Sequence, residues 1–271
     1  MQTPPTHAAI SQIRFFKKAN ARFENACLTF SLLMLAIVAA SLSGCNLGAQ
    51  QNNITGRQAF DMGQYSVAIN EFQKALSKNP NNADALYNLG ASLYSQAKQT
   101  QNQQLVNQAE QLYRQAISKN DQHVQSHRGL AALLIESNRE KHAFDLINTW
   151  KNRYPSSTEP IVELARLYQE YGDNRRATDL LADGLRIDSN NVRVLKAMGH
   201  VREVQGQTHL ALDNYLRVLQ LDNQQTDVVE KVASLQNQLA RLPIQGNETG
   251  AANPLNAAPS SRYGAIAPYL R

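Results

Sequence analysis

The 271-residue chain is expected to be all-α: about five stacked helical hairpins closed by one further helix. Three observations predict this. Alanine returns at Ala68, Ala109, Ala143, Ala177 and Ala211; the last three intervals are each 34 residues, and the first is 41, one period plus seven. A fixed period of roughly 20–50 residues marks stacked repeats rather than a closed domain. Apolar residues inside each segment recur at spacings of 3 and 4, a helical period and not a strand period. Gly63, Gly172 and Gly206 fall between the two apolar stretches of their segments, where a chain reversing between helices needs a turn.

The N-terminal segment reads differently. Arg14, Lys17, Lys18 and Arg22 precede an apolar run from Ala26 to Leu42 that ends in small residues. A spanning helix needs about 20 apolar residues. The shorter run suits the core of an export signal over residues 1–44; the alternative is an uncleaved N-terminal anchor. Leu42-Ser43-Gly44-Cys45 resembles the bacterial lipobox. That resemblance implies cleavage just before Cys45 and acylation of its thiol by a palmitate-type chain. Residues 45–52 are then a polar tether, with a reach of about 30 Å at most.

Removal of residues 1–44 also removes four basic groups and one acid, so the rest carries 23 basic and 21 acidic groups, or +2, instead of the +5 of the whole chain. No nucleic-acid partner is expected at that balance. The two cysteines are Cys27, lost with the signal, and Cys45. Disulfides and thiolate metal sites are therefore excluded from the mature fold.

The repeats occupy residues 53–225 with a first small residue at Gly56. The first reads Gly56, Ala68, Phe72, Ala75 and Pro80; the second Leu86, Leu89, Gly90, Leu93, Ala109, Tyr113 and Ala116. The third reads Leu130, Ala131, Leu134, Ala143, Ile147 and Pro155; the fourth Ile161, Leu164, Ala165, Tyr168, Gly172, Ala177 and Leu181; the fifth Leu195, Met198, Gly199, Gly206, Ala211 and Tyr215. These residues resemble the tetratricopeptide repeat (TPR) family, whose unit is two antiparallel helices in about 34 residues. The resemblance implies a right-handed α-solenoid of about five TPR hairpins plus a C-terminal capping helix. Facing small residues let the two backbones of a hairpin approach, and a large residue four positions later fills the space beside them.

Several departures carry structural expectations. Trp150 stands where the pattern has alanine, so packing near it is expected to splay; Gly184 is its counterpart one repeat later. The seven extra residues lie in the Gln-rich stretch 96–108 and are expected to lengthen both helices of that hairpin by about a turn. Ser156 and Glu159 suggest a capping box, with Pro160 in the first turn. Val228, Val232, Leu235, Leu239 and Leu242, spaced by 4, 3, 4 and 3, predict a capping helix over 226–242 that Pro243 ends. Residues 243–271 hold four of the nine prolines and three glycines, and are expected to be a disordered tail; a short docking peptide at 263–271 is the alternative.

Catalytic signatures are missing: the sequence has no phosphate-binding loop, HExxH or GxSxG motif. His123 and His127 stand four apart without a third ligand, so no metal and no cofactor is expected. The carboxylates read as solvating groups. The chain is expected not to be an enzyme. What remains is a groove, because stacked hairpins line a concave side with the first helix of each unit. Carried over from the family, that side takes Asn53, Arg57, Phe60, Asp61, Tyr87, Ala91, Tyr94, Gln125, Arg128, Ile135, Val162, Arg166, Arg193, Lys196, His200 and Glu203. Arg57, Tyr87, Tyr94 and Arg128 are the expected partner-binding cluster, since tyrosine and arginine are enriched in hot spots; the alternative is plain amphipathic surface. The lysine–asparagine clamp of some family members is matched only loosely, by Asn53 and Asn88.

The resulting expectation is a lipid-anchored, non-enzymatic scaffold of the bacterial cell envelope. It would face the periplasm, on the outer rather than the inner membrane, because Asn46 follows Cys45 where an aspartate often retains lipoproteins inside. Its partner would be a protein or peptide in the groove, and its membrane contact the lipid on Cys45. A pilotin-like assembly factor for a pilus or secretion system is one alternative; an enzyme subunit or cell-wall enzyme adaptor is the other.

Overall fold

The computed structural model describes residues 48–241. The expected signal segment 1–44, Cys45 and the expected disordered tail 243–271 lie outside the described residues. Among the described residues every regular element is an α-helix, and the chain forms two compact units, one ending at Asp121 and the other starting at Gln122.

The first unit holds α1 (residues 48–61), α2 (Tyr65–Lys78), α3 (Ala83–Thr100) and α4 (Gln103–Lys119). Helix α1 already includes residues 48–52, with Ala49 buried, so these five residues are part of the fold and not of an extended tether. Lys78 at the end of α2 reaches back to the Gly48 carbonyl (3.3 Å) and to Asn52 Oδ1 (2.7 Å), tying the first turns of α1 to α2. A Cβ on Gly56 would sit 2.6 Å from Cε1 of Phe72, so only glycine allows α1 and α2 this approach. At 18 and 17 residues, α3 and α4 are each longer than the 13 and 14 of α5 and α6, so the seven extra residues extend both helices of the hairpin. The reversal between them runs through Gln101 at φ 52°, followed by Asn102, whose side chain accepts from the Gln104 and Leu105 amides.

The second unit holds α5 (Val124–Glu136), α6 (Glu140–Arg153), α7 (Glu159–Glu170), α8 (Asn174–Ile187), α9 (Val192–Val204), α10 (Thr208–Leu221) and α11 (Thr226–Arg241). Its hairpin turns use left-handed residues at one place: Asn138 at φ 57°, Gly172 at 77° and Gly206 at 71°. Asp173 and Asn191 cap α8 and α9 by accepting from the Arg176 and Val194 amides. The expected capping box does not form. Thr158, not Ser156, precedes α7, and its hydroxyl instead accepts from Asn191 Nδ2 at 3.1 Å.

Trp150 is buried and stacks on His127, with ring centroids 4.1 Å apart and planes 1° from parallel. Helices α5 and α6 pack less closely than α7 and α8, the splaying expected of so large a residue at that place. Helix α11 lies along α10, where Val228, Val232 and Leu235 join Leu195, Ala211, Tyr215 and Val218 in one apolar cluster. Burying such side chains contributes about 1.5–3 kcal/mol each, which is the physical basis of the terminal helix. Leu239 is half-buried; Leu242 lies outside the described residues.

Candidate binding faces

The first helix of each hairpin presents one face at residues spaced by 4 and 3. On α1 these are Asn53, Arg57 and Phe60; on α3 they are Tyr87, Ala91 and Tyr94. The two helices are fastened where Asn88 Nδ2 donates to Asn53 Oδ1 at 3.0 Å. Arg57 lies one turn beyond Asn53, and Ala91 about one turn beyond Asn88. The register therefore sets Arg57 level with the small Ala91, with Tyr87 and Tyr94 one turn to either side. Arg57 is exposed and makes no ion pair among the described residues. Tyr87 leans on Tyr113 of α4 at 5.7 Å between centroids, and Lys98 lies 5.6 Å over the Tyr94 ring. Both tyrosines are half-buried, held by packing at one side and open at the other. Phe60 packs against Tyr65 at 5.3 Å, and Asp61 is exposed at the end of α1.

The corresponding face of the second unit has another character. Glu163 on α7 is fully buried, and Arg128 on α5 binds both its oxygens: Nε lies 3.1 and 3.0 Å from Oε1 and Oε2, and Nη2 also contacts Oε1. Arg166 Nε donates to the same carboxylate at 3.2 Å, and Arg193 Nη2 from α9 at 3.4 Å. The outer ends of the two latter arginines pair with Glu170 and Glu159. Burial pushes the Glu163 carboxyl up, but the hydrogen bonds and charge of Arg128, followed by Arg166, outweigh it and hold the group below its ordinary value of 4.5. Further along, Lys196 pairs with Asp227 at 2.6 Å, and Lys231 with Glu203 at 2.9 Å. His200 is half-buried beside them; burial lowers its pKa, with Glu203 opposing and Lys231 reinforcing the shift.

The expected cluster thus divides. Arg57, Tyr87 and Tyr94 share the face of the first unit, whereas Arg128 belongs to the second, and its guanidinium is committed to Glu163. Glu163 is the residue that sequence reasoning misses: it reads as a solvating carboxylate and is instead the hub of the second face. A signal exists. Glu163 follows Arg128 by 35 residues and Glu159 precedes Arg193 by 34, so opposite charges recur at one repeat period. Gln125, Ile135 and Val162 lie on the helices that carry this network and add no charge to it.

No three histidine, cysteine, aspartate or glutamate side chains come together as a metal-holding group among the described residues. The His123 ring faces its own helix start, with Nδ1 2.6 Å from Ser126 Oγ and accepting from the Ser126 amide at 3.2 Å. No helix among the described residues is long and apolar enough to cross a membrane.

Comparison with known proteins agrees with this architecture. Residues 56–96 match the family model described as TPR repeat. A curated relative, the BBSome complex member BBS4 homolog of Drosophila melanogaster, is 23% identical over 168 residues, 60% of this chain and 35% of that protein. The chain spans about a third of that relative's length. Among solved structures, TTC0263, a thermophilic TPR protein of Thermus thermophilus, is 19% identical, with a TM-score of 0.52 over 70% of this chain and 99% of that one. PilF of Pseudomonas aeruginosa is 18% identical, with a TM-score of 0.46 over 75% of this chain and 95% of that one. The likeness to TTC0263 is one of fold: an α-solenoid of TPR hairpins.

Proposed function

We propose that this protein is a lipid-anchored, non-enzymatic scaffold of the bacterial cell envelope that holds a protein or peptide partner on the α1–α3 face of its first unit. The observation that carries this reading is Arg57, an exposed cation without an ion pair among the described residues, set in register between Tyr87 and Tyr94. Two half-buried aromatic rings give contact area at low entropic cost, and the guanidinium offers directional donors. On the second unit the matching cations are already neutralised by Glu159, Glu163, Glu170, Asp227 and Glu203. Arg128 therefore serves in this reading as a structural partner of Glu163 and not as a contact. Lipid anchoring rests on the lipobox-like Leu42-Ser43-Gly44-Cys45; the scaffold then works in the periplasm, on the outer membrane.

Cross-linking in cells followed by affinity purification of the full-length chain tests the site. Arg57→Glu together with Tyr87→Ala is expected to cut the recovered partner by tenfold or more, about 1.4 kcal/mol or above, with helical circular dichroism unchanged. Equal recovery from parent and variant would remove the α1–α3 face from consideration. The recovered proteins also separate the roles: pilus or secretion components indicate an assembly factor, and cell-wall hydrolases or synthases an enzyme adaptor.

A further inference from the structure

We propose that the outward side of α11 is a contact surface for a second copy of this chain, with the two α11 helices antiparallel. This goes beyond the α1–α3 face and does not depend on it. Gly172 and Gly206 reverse the chain at one place in successive hairpins, at φ 77° and 71°. The residue 34 further on is Ala240, and there α11 does not reverse but runs on to Arg241. Alanine resists the left-handed conformation that such a turn needs. Helix α11 is therefore the first helix of a hairpin without its second. Residues 243–271 do not encode that second helix. Pro243, Pro254, Pro259 and Pro268 leave no proline-free run longer than ten residues, whereas the second helices of the described hairpins have 14 to 17.

The preceding hairpins show what the missing helix leaves bare. On α9, Leu195 shares a buried cluster with Ala211, Tyr215 and Val218 of α10, and a Cβ on Gly199 would lie 2.7 Å from Tyr215 Cε1. At the same two places on α7, Ile161 is 4% exposed and Ala165 1%. Their counterparts on α11 are Val229, 48% exposed, and Ala233, exposed as well. Gln236 and Ala240, also exposed, follow at spacings of 3 and 4, so the four residues form one uninterrupted stripe along the helix. The small side chain at position 233 admits a neighbouring helix closely, as Gly199 admits α10.

Charge identifies the occupant. On the flank beside this stripe stand Glu230 near one end of the helix and Arg241 at the other. Both are exposed, and neither makes an ion pair among the described residues. A parallel neighbour of the same sequence would set like charges together. An antiparallel one sets Val229 against Ala240 and Ala233 against Gln236 of the second copy. It also brings Glu230 within a turn of Arg241 of the second copy, and two-fold symmetry makes each contact twice. Asp227 and Lys231 take no part, being engaged with Lys196 and Glu203 of α9. One 16-residue helix, about 24 Å long, on each side makes a small interface, so the association is weak and concentration-dependent.

Light scattering from the full-length chain, in detergent with micelles in large excess, tests this. The protein mass is expected to rise with concentration toward that of two chains. Ala233→Arg should leave only the single chain. Glu230→Arg alone and Arg241→Glu alone should each weaken association about tenfold, and the two together should restore it. All these residues are exposed, so helical circular dichroism should stay as in the parent. A parent chain that remains single at every concentration would overturn the proposal. So would association that survives Ala233→Arg, as pairing through micelles would, or a double charge exchange no better than either single one.

Discussion

Glu163 shows how one side chain sets the character of a whole face. A carboxylate with 1% of its side chain exposed would be costly alone, yet three guanidinium groups converge on it from α5, α7 and α9. Those arginines keep between 18% and 41% of their own side chains in solvent, so the network is buried at its centre and wet at its rim. Glu163→Gln keeps the shape and removes the charge. It is expected to cost about 2–4 kcal/mol at neutral pH, read as a lower midpoint in urea. The acid response follows from linkage: folding lowers the carboxyl's pKa, so its contribution is complete above about pH 4.5 and is lost as pH falls through the folded-state value. The variant should therefore lose less stability than the parent on acidification. Identical acid slopes would show that the arginines do not act on this group. Sequence carries the charge period but not the hub, because burial of a glutamate depends on which side chains the next hairpin brings over it.

Among the helices and their turns, left-handed residues are the clearest record of the repeat. Gly172 and Gly206 occupy that conformation without cost, while Asn138 and Gln101 must adopt it with a side chain, at roughly 1–2 kcal/mol for an ordinary residue. Gln101→Gly is expected to raise stability by about 0.5–1 kcal/mol after the greater freedom of the unfolded glycine is subtracted. Asn138→Gly should gain less, because asparagine tolerates the conformation. Thermal melting checks this, and a drop in midpoint for Gln101→Gly would show that the Gln101 side chain does more than mark the turn. The lengthening of α3 and α4 was legible, since seven residues inserted in a polar helical stretch have no cheaper place than two added turns. The start of α7 was not: Ser156 and Glu159 carry the spacing of a capping box, but the longer-range bond from Asn191 to Thr158 came with the following hairpin.

For the whole molecule, the proposed lipid anchoring and the proposed partner binding are separable. Cys45→Ala should abolish labelling by a fatty-acid analogue and leave the segment 1–44 attached, read as a heavier chain by mass spectrometry, while Arg57-dependent partner recovery persists. A parent chain that carries no fatty-acid label and keeps residues 1–44 would favour the uncleaved N-terminal anchor instead. The class of fold was determined by the sequence itself, because a 34-residue period and 3–4 apolar spacing admit one economical solution: helical hairpins that bury each other's apolar sides. The identities of the close-approach glycines and of the terminal helix follow from the same local rules. Only the tertiary structure decided which cations stay available. Arg57 and Arg128 both occupy the binding side of their helices in sequence terms, yet one has no ion pair among the described residues and the other is locked to a buried glutamate from the next hairpin. Periodicity fixes where a side chain lies along its own helix; whether its charge is spent depends on a partner 35 residues away, which only packing brings within reach.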